Sequence, residues 1–80
     1  MTSDDGRDHT NQREADTIRE LRKFLGQTQL RFAETMGVSL MTVSRWERGE
    51  VAVPGPAQRL AQLILALRPA VEWLRSKESS

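Results

Sequence analysis

The stretch TQLRFAETMGVSLMTVSRWERG, residues 28–49, has space for two short helices and a tight turn, and for little else. Thr28 stands where a side-chain oxygen satisfies free amides at a helix start, and Phe32, Ala33 and Met36 repeat on one face behind it. Gly37 ends that helix. Ser39 caps the next, in which Val43 and Trp46 face inward together with Val38 from the turn, and Gly49 closes it. Helices this short do not persist alone, so packing against the rest of the chain must hold them.

The flanking residues supply that packing. Thr17 to Glu20 has the spacing of a capping box, and Ile18, Leu21 and Leu25 share a face, which predicts a first helix over 15–25 ended by Gly26. Residues 50–56, EVAVPGP, read as an extended connection, because Pro54 and Pro56 bias the residues before them away from helix. The VAV run has no second strand to pair with. A fourth helix over 57–68 repeats Leu60, Leu63, Ile64 and Leu67 on one predicted core stripe, with Leu65 and Ala66 adding apolar surface elsewhere. Pro69 breaks the run, and a last helix over 69–77 carries Val71, Trp73 and Leu74. Residues 1–14 hold almost nothing apolar and read as a flexible acidic tail; residues 78–80 read as a disordered end. The expectation is an all-α, five-helix domain spanning 15–77.

Composition narrows the function. Eighty residues make one domain, with no room for a separate small-molecule effector domain. Without cysteine, and with His9 as the single histidine, the chain has no disulfides and no His/Cys zinc spacing, so neither a metal nor another cofactor is expected. An enzyme is the poorest reading: no nucleophile has a histidine partner, and no phosphate-cradling glycine loop occurs. No apolar run reaches the roughly 18 residues of a membrane span, and the acidic N-terminus is unlike a secretory signal, so a soluble cytoplasmic protein is expected. Residues 1–17 carry five acids against two arginines, a net of −3, and since the whole chain carries +1 the remainder carries +4. A mildly basic body suits a polyanion partner but would not by itself point to one.

Two short helices about a tight turn are the form of a helix-turn-helix, whose second helix must keep one face for the core and another for base edges in the DNA major groove. With Val43 and Trp46 inward, the helical period turns Leu40, Met41, Ser44, Arg45 and Arg48 outward. Arg45 suits a two-point contact with guanine, Ser44 suits several bases, and Leu40 or Met41 suits a thymine methyl. The competing reading has Leu40 and Met41 plugging a gap under a neighbouring helix, and Arg45 and Arg48 as solvated surface arginines.

The string GQTQLRFAETMGVSLMTVSRWERG, with T-Q-x-x-F-A, G-V-S and V-S-R-W-E-R-G in this order, resembles the Cro and lambda-repressor type of helix-turn-helix, the XRE family of bacteria and phages. The resemblance covers most of residues 18–67. It implies a lambda-repressor-like five-helix fold and a dimeric, nucleoid-associated transcription regulator, most simply a repressor, acting on a double-stranded operator. It assigns Gln29 to a DNA phosphate, where Thr28, Ser39, Arg31, Arg48 and Lys23 are further candidates, and it implies an ion pair between Arg22 and Glu47. One departure stands out: the connection after the third helix, which in the family often carries basic residues, here begins with Glu50 and has none. Leu65, Val71, Trp73 and Leu74 are the candidate homodimer interface, although Val71 and Leu74 fit closing the monomer core equally well. The stretch around Pro54 to Ala57, the Leu-rich helix after it and the ending near Arg68 to Leu74 also look similar to the DNA-binding half of type II antitoxins, which bind a toxin protein and repress their own operon, and a purely structural helical bundle is a third reading.

Overall fold

The computed structural model describes the backbone of residues 2–79 and the side chains of residues 11–78. Within these limits the chain is all-α: α1 (Thr2–Leu25), α2 (Gln29–Met36), α3 (Leu40–Glu47), α4 (Gly55–Ala66) and α5 (Arg68–Ser79). The two short helices use the caps their sequences provide. Thr28 Oγ1 accepts from the Arg31 amide at 3.1 Å, and Ser39 Oγ accepts from the Thr42 amide at 3.1 Å. At the turn between them Gly37 has φ +74°, and the amides of Gly37 and Val38 donate back to Glu34 O and Ala33 O. A side chain at residue 37 would meet nothing within 4 Å, so the demand for glycine there comes from the backbone conformation alone.

The core gathers Ile18 and Leu21 of α1, Phe32 and Ala33 of α2, Val43 and Trp46 of α3, Val53 of the α3–α4 connection and Ala61 of α4. Each fully buried aliphatic or aromatic side chain contributes roughly 1.5–3 kcal/mol of transfer free energy. Met36, Val38, Ala57 and Ile64 pack around this cluster half-buried. Val53, in a stretch that reads as a plain connection, therefore serves as a core residue.

Three expectations are corrected. The first helix starts at Thr2 and not near residue 15, so the segment expected as a flexible tail enters α1; the side chains of residues 1–10, which include most of its acids, lie outside the described residues. Thr17 is not a cap, because its hydroxyl donates to Arg13 O at 3.0 Å within the helix. Tertiary contacts hold the turn just before the expected start: Asn11 Nδ2 donates to Gly49 O at 3.5 Å and Glu14 Oε1 accepts from the Val53 amide at 2.7 Å, contacts that no local pattern encodes.

The second correction concerns α4. Its buried side is Ala57, Ala61 and Ile64, whereas Leu60, Leu63 and Leu67 are exposed and Leu65 is half-buried. Where α4 packs on α1 the small Ala61 is fully buried, and the bulky leucines turn away from that contact. Third, Leu25 is partly exposed at the end of α1 and does not complete the Ile18–Leu21 stripe, because Gly26 turns the chain there. Leu67 stands between α4 and α5, Pro69 in the first turn of α5 has no amide hydrogen to continue the α4 ladder, and the Val71 amide spans the joint to Leu67 O at 3.1 Å. An Arg68–Glu20 pair at 3.8 Å and the Arg75 guanidinium 5.9 Å from the Phe24 ring centre tie α5 to α1.

Replacing Gly37 with Ala forces a left-handed conformation on a residue with a Cβ, at an expected cost of about 1–2 kcal/mol. Urea denaturation should show a lower midpoint with an unchanged slope; a midpoint equal to wild type would mean that the turn does not need glycine.

Candidate nucleic-acid interface

At the end of α3, Glu47 is 5% exposed and is the only buried charged residue among those described. Its Oε2 accepts from Arg22 Nε at 2.7 Å and its Oε1 from Arg22 Nη2 at 3.1 Å, a two-point pair across from α1. Gln29 Nε2, at the start of α2, donates to the same Oε1 at 3.0 Å, and Arg19 donates to the backbone oxygen of Glu47. Arg22 also donates to Gln27 O at 3.1 Å, in the α1–α2 turn. One carboxylate thus joins three helices and fixes the rotation of α3. Burial pushes the Glu47 carboxyl up, but the hydrogen bonds from Arg22 and Gln29, with the charges of Arg22 and Arg19, outweigh it and leave the group below its ordinary value. The hydrogen bond to Glu47 raises the already high Arg22 value further.

With its back fixed, α3 presents a defined outer edge. Leu40 is 45% exposed and Met41 60%, Arg45 and Arg48 are exposed, and Ser44 is half-buried between them. Leu40 and Met41 therefore do not plug a gap in the body of the molecule. The two arginines differ. Arg48 is paired with Glu50, Nε to Oε2 at 2.8 Å, whereas among the described residues no acid pairs with Arg45.

The phosphate candidates are spread over three helices and their starts. Thr28 and Ser39 sit at the starts of α2 and α3 with their oxygens engaged as caps, and Ser39 Oγ also bonds Thr42 Oγ1 at 3.0 Å. Gln29 has one of its two amide hydrogens committed to Glu47, which orients its head group. Arg31 is exposed and 3.6 Å from Glu34, and Lys23 is exposed in the last turn of α1. Of the dimer candidates, Trp73 and Leu74 are exposed, Trp73 with Lys77 over its ring at 5.2 Å, while Leu65 and Val71 are half-buried.

A capped α2, a glycine turn and a capped α3, bolted to α1 through a buried carboxylate, make up a frame that presents one helix edge. A sequence profile described as helix-turn-helix matches residues 18–65, more than half of the chain. The chain belongs to the XRE family of Cro- and repressor-type helix-turn-helix proteins. It is a DNA-binding transcriptional regulator with the family's lambda-repressor-like all-α fold. No curated protein and no solved structure gives a significant match. No helix among the described residues is long and apolar enough to cross a membrane.

Among the contacts that sequence reasoning missed are three made to this helix-turn-helix from α1: Arg19 on the Glu47 backbone, Asn11 on Gly49 and Glu14 on Val53. Arg19 and Arg22 stand at i and i+3 on one helical face, a spacing that was legible; the other two had no local signal.

Because the folded Glu47 value lies below the ordinary 4.5, its stabilisation is fully present above about pH 4.5 and fades as pH falls through the folded value. Glu47→Gln should cost about 3 kcal/mol at neutral pH, the range for breaking a buried pair. The gap between the two proteins in urea midpoint should close as pH drops below 4.5. A gap independent of pH would show that the charge of Glu47 contributes nothing.

Proposed function

We propose that this chain is a dimeric, sequence-specific repressor that lays α3 in the major groove of an operator. The observation that carries the reading is the make-up of the α3 edge: two exposed apolar side chains beside an arginine whose guanidinium no described acid occupies. Water is a poor partner for Leu40 and Met41, whereas the major groove offers thymine methyls to them and guanine N7 and O6 to Arg45. Ser44 reads or braces at the same edge, where Arg48 stands in its pair with Glu50. Gln29, Thr28, Arg31, Ser39 and Lys23 hold the phosphates on either side and fix the register without reading sequence. Occupying an operator excludes other proteins from it, and repression follows without any cofactor or catalytic step.

The dimer reading rests on Leu60, Leu63 and Leu67 along α4 and on Trp73 and Leu74 on α5, all exposed. Apolar surface in this amount is costly to leave in water, and a second copy about a two-fold axis would cover it while setting two α3 helices about 34 Å apart, one turn of DNA. Leu65 and Val71, on the same two helices, are half-buried.

With a duplex selected from a random pool, Arg45→Ala should lose about 1–3 kcal/mol of discrimination against random DNA. Gln29→Ala should weaken both duplexes alike. Equal loss on both duplexes for Arg45→Ala would refute base reading by that residue. Sedimentation at micromolar concentration should give a dimer that Trp73→Glu dissociates; a monomeric wild type, even with DNA, would overturn the dimer and leave the apolar face to a different protein, as in an antitoxin.

A further inference from the structure

The turn that closes α3 carries an acid where a surface approaching DNA has most use for a base. Between Arg48 and Arg59, Glu50 is the sole charged residue. Its carboxylate takes the Arg48 guanidinium at two points, Nε to Oε2 at 2.8 Å and Nη2 to Oε1 at 3.3 Å. Both side chains are about half exposed, so the pair adds little to stability and its consequence has to be sought elsewhere.

The backbone builds this pair. Gly49 has φ +72°, and the amides of Gly49 and Glu50 donate back to Trp46 O and Arg45 O, each at 3.1 Å, which folds residue 50 against the end of α3 beside Arg48. From the other side α1 braces the turn: Asn11 Nδ2 donates to Gly49 O, and a Cβ at residue 49 would stand 3.5 Å from Gln12 Oε1 and 3.7 Å from Asn11 O. Glu14 pins the far end of the connection at the Val53 amide. A held backbone thus places residue 50 beside Arg48.

A carboxylate gripping a guanidinium at two points has the geometry of a phosphate doing the same. We propose that Glu50 is an internal phosphate surrogate that occupies Arg48 and so lowers the affinity of this protein for DNA of random sequence. A phosphate approaching the end of α3 meets a pair of zero net charge; to reach Arg48 it must displace a carboxylate that stays nearby and repels it. The counterion release that one Arg–phosphate contact would bring is withheld from specific and random sites alike. Discrimination is left to Arg45, Leu40 and Met41, and fewer protein molecules are held on random DNA. This inference rests on the reading of α3 as the DNA-facing helix.

The test uses the full chain with a random-sequence duplex and a duplex selected for tight binding. Glu50→Gln should bind the random duplex about 3–10-fold more tightly at 0.1 M salt, with a log–log salt slope steeper by about 0.9, one phosphate contact. Glu50→Asp keeps the charge but shortens the reach, so it should also tighten binding, by less, because Arg48 is released. Thermal unfolding should be unchanged in both. Tighter binding by Glu50→Gln with none by Glu50→Asp would mean plain charge repulsion and would overturn the surrogate role, as would wild-type affinity in both variants. Arg45→Ala on the selected duplex is the control. Its expected loss keeps the DNA reading standing whichever way Glu50 behaves, whereas no loss removes both.

Discussion

A single buried carboxylate sets the geometry on which the helix-turn-helix depends. Helices of eight residues such as α2 and α3 have no stability of their own, and hydrophobic contact through Val43 and Trp46 would tolerate some rotation of α3 about its axis. Glu47 removes that freedom, because its two oxygens accept directional bonds from Arg22 on α1 and Gln29 on α2. Desolvating the ions offsets much of their attraction, so the pair contributes orientation more than net stability. Orientation is what base reading requires, since a side chain displaced by an ångström misses its hydrogen bond.

The same cluster links the frame to the surface. Gln29 is oriented by Glu47 and stands at the start of α2, where free amides also favour an anion. Its head group is therefore held by the same carboxylate that fixes α3. Beyond Glu47 the chain enters the Gly49 turn, where α1 contributes again through Asn11 and Glu14. The long first helix accordingly acts as a rail along which both ends of the α3–α4 connection and the back of α3 are fastened.

What was legible in the sequence was local. The caps at Thr28 and Ser39 and the glycine ends at Gly37 and Gly49 depend on a few neighbouring residues, and they form as their spacing suggests. The outward edge of α3 followed from the period once Val43 and Trp46 were placed inside. The helical turn at Asn11 to Glu14 was illegible because its polar side chains are tied to partners 38 and 39 residues away in the chain. In α4 two stripes obey the helical period equally, and only the close packing on α1 decides that Ala57, Ala61 and Ile64 go inside while Leu60, Leu63 and Leu67 stay out. The pairing of Arg48 with Glu50 depends on how Gly49 folds the chain back, which residue types alone do not specify.

The most direct measurement is a nuclear magnetic resonance titration of the labelled protein with a selected duplex, following backbone amides together with the methyl groups of Leu40 and Met41. The account predicts that the largest changes fall on α3 and its Ser39 cap, on the α2 start around Thr28 and Gln29, and on both methyl probes, with intermolecular contacts from Met41 to base protons. Changes confined to α4 and α5, with α3 and its methyl groups unmoved, would contradict it.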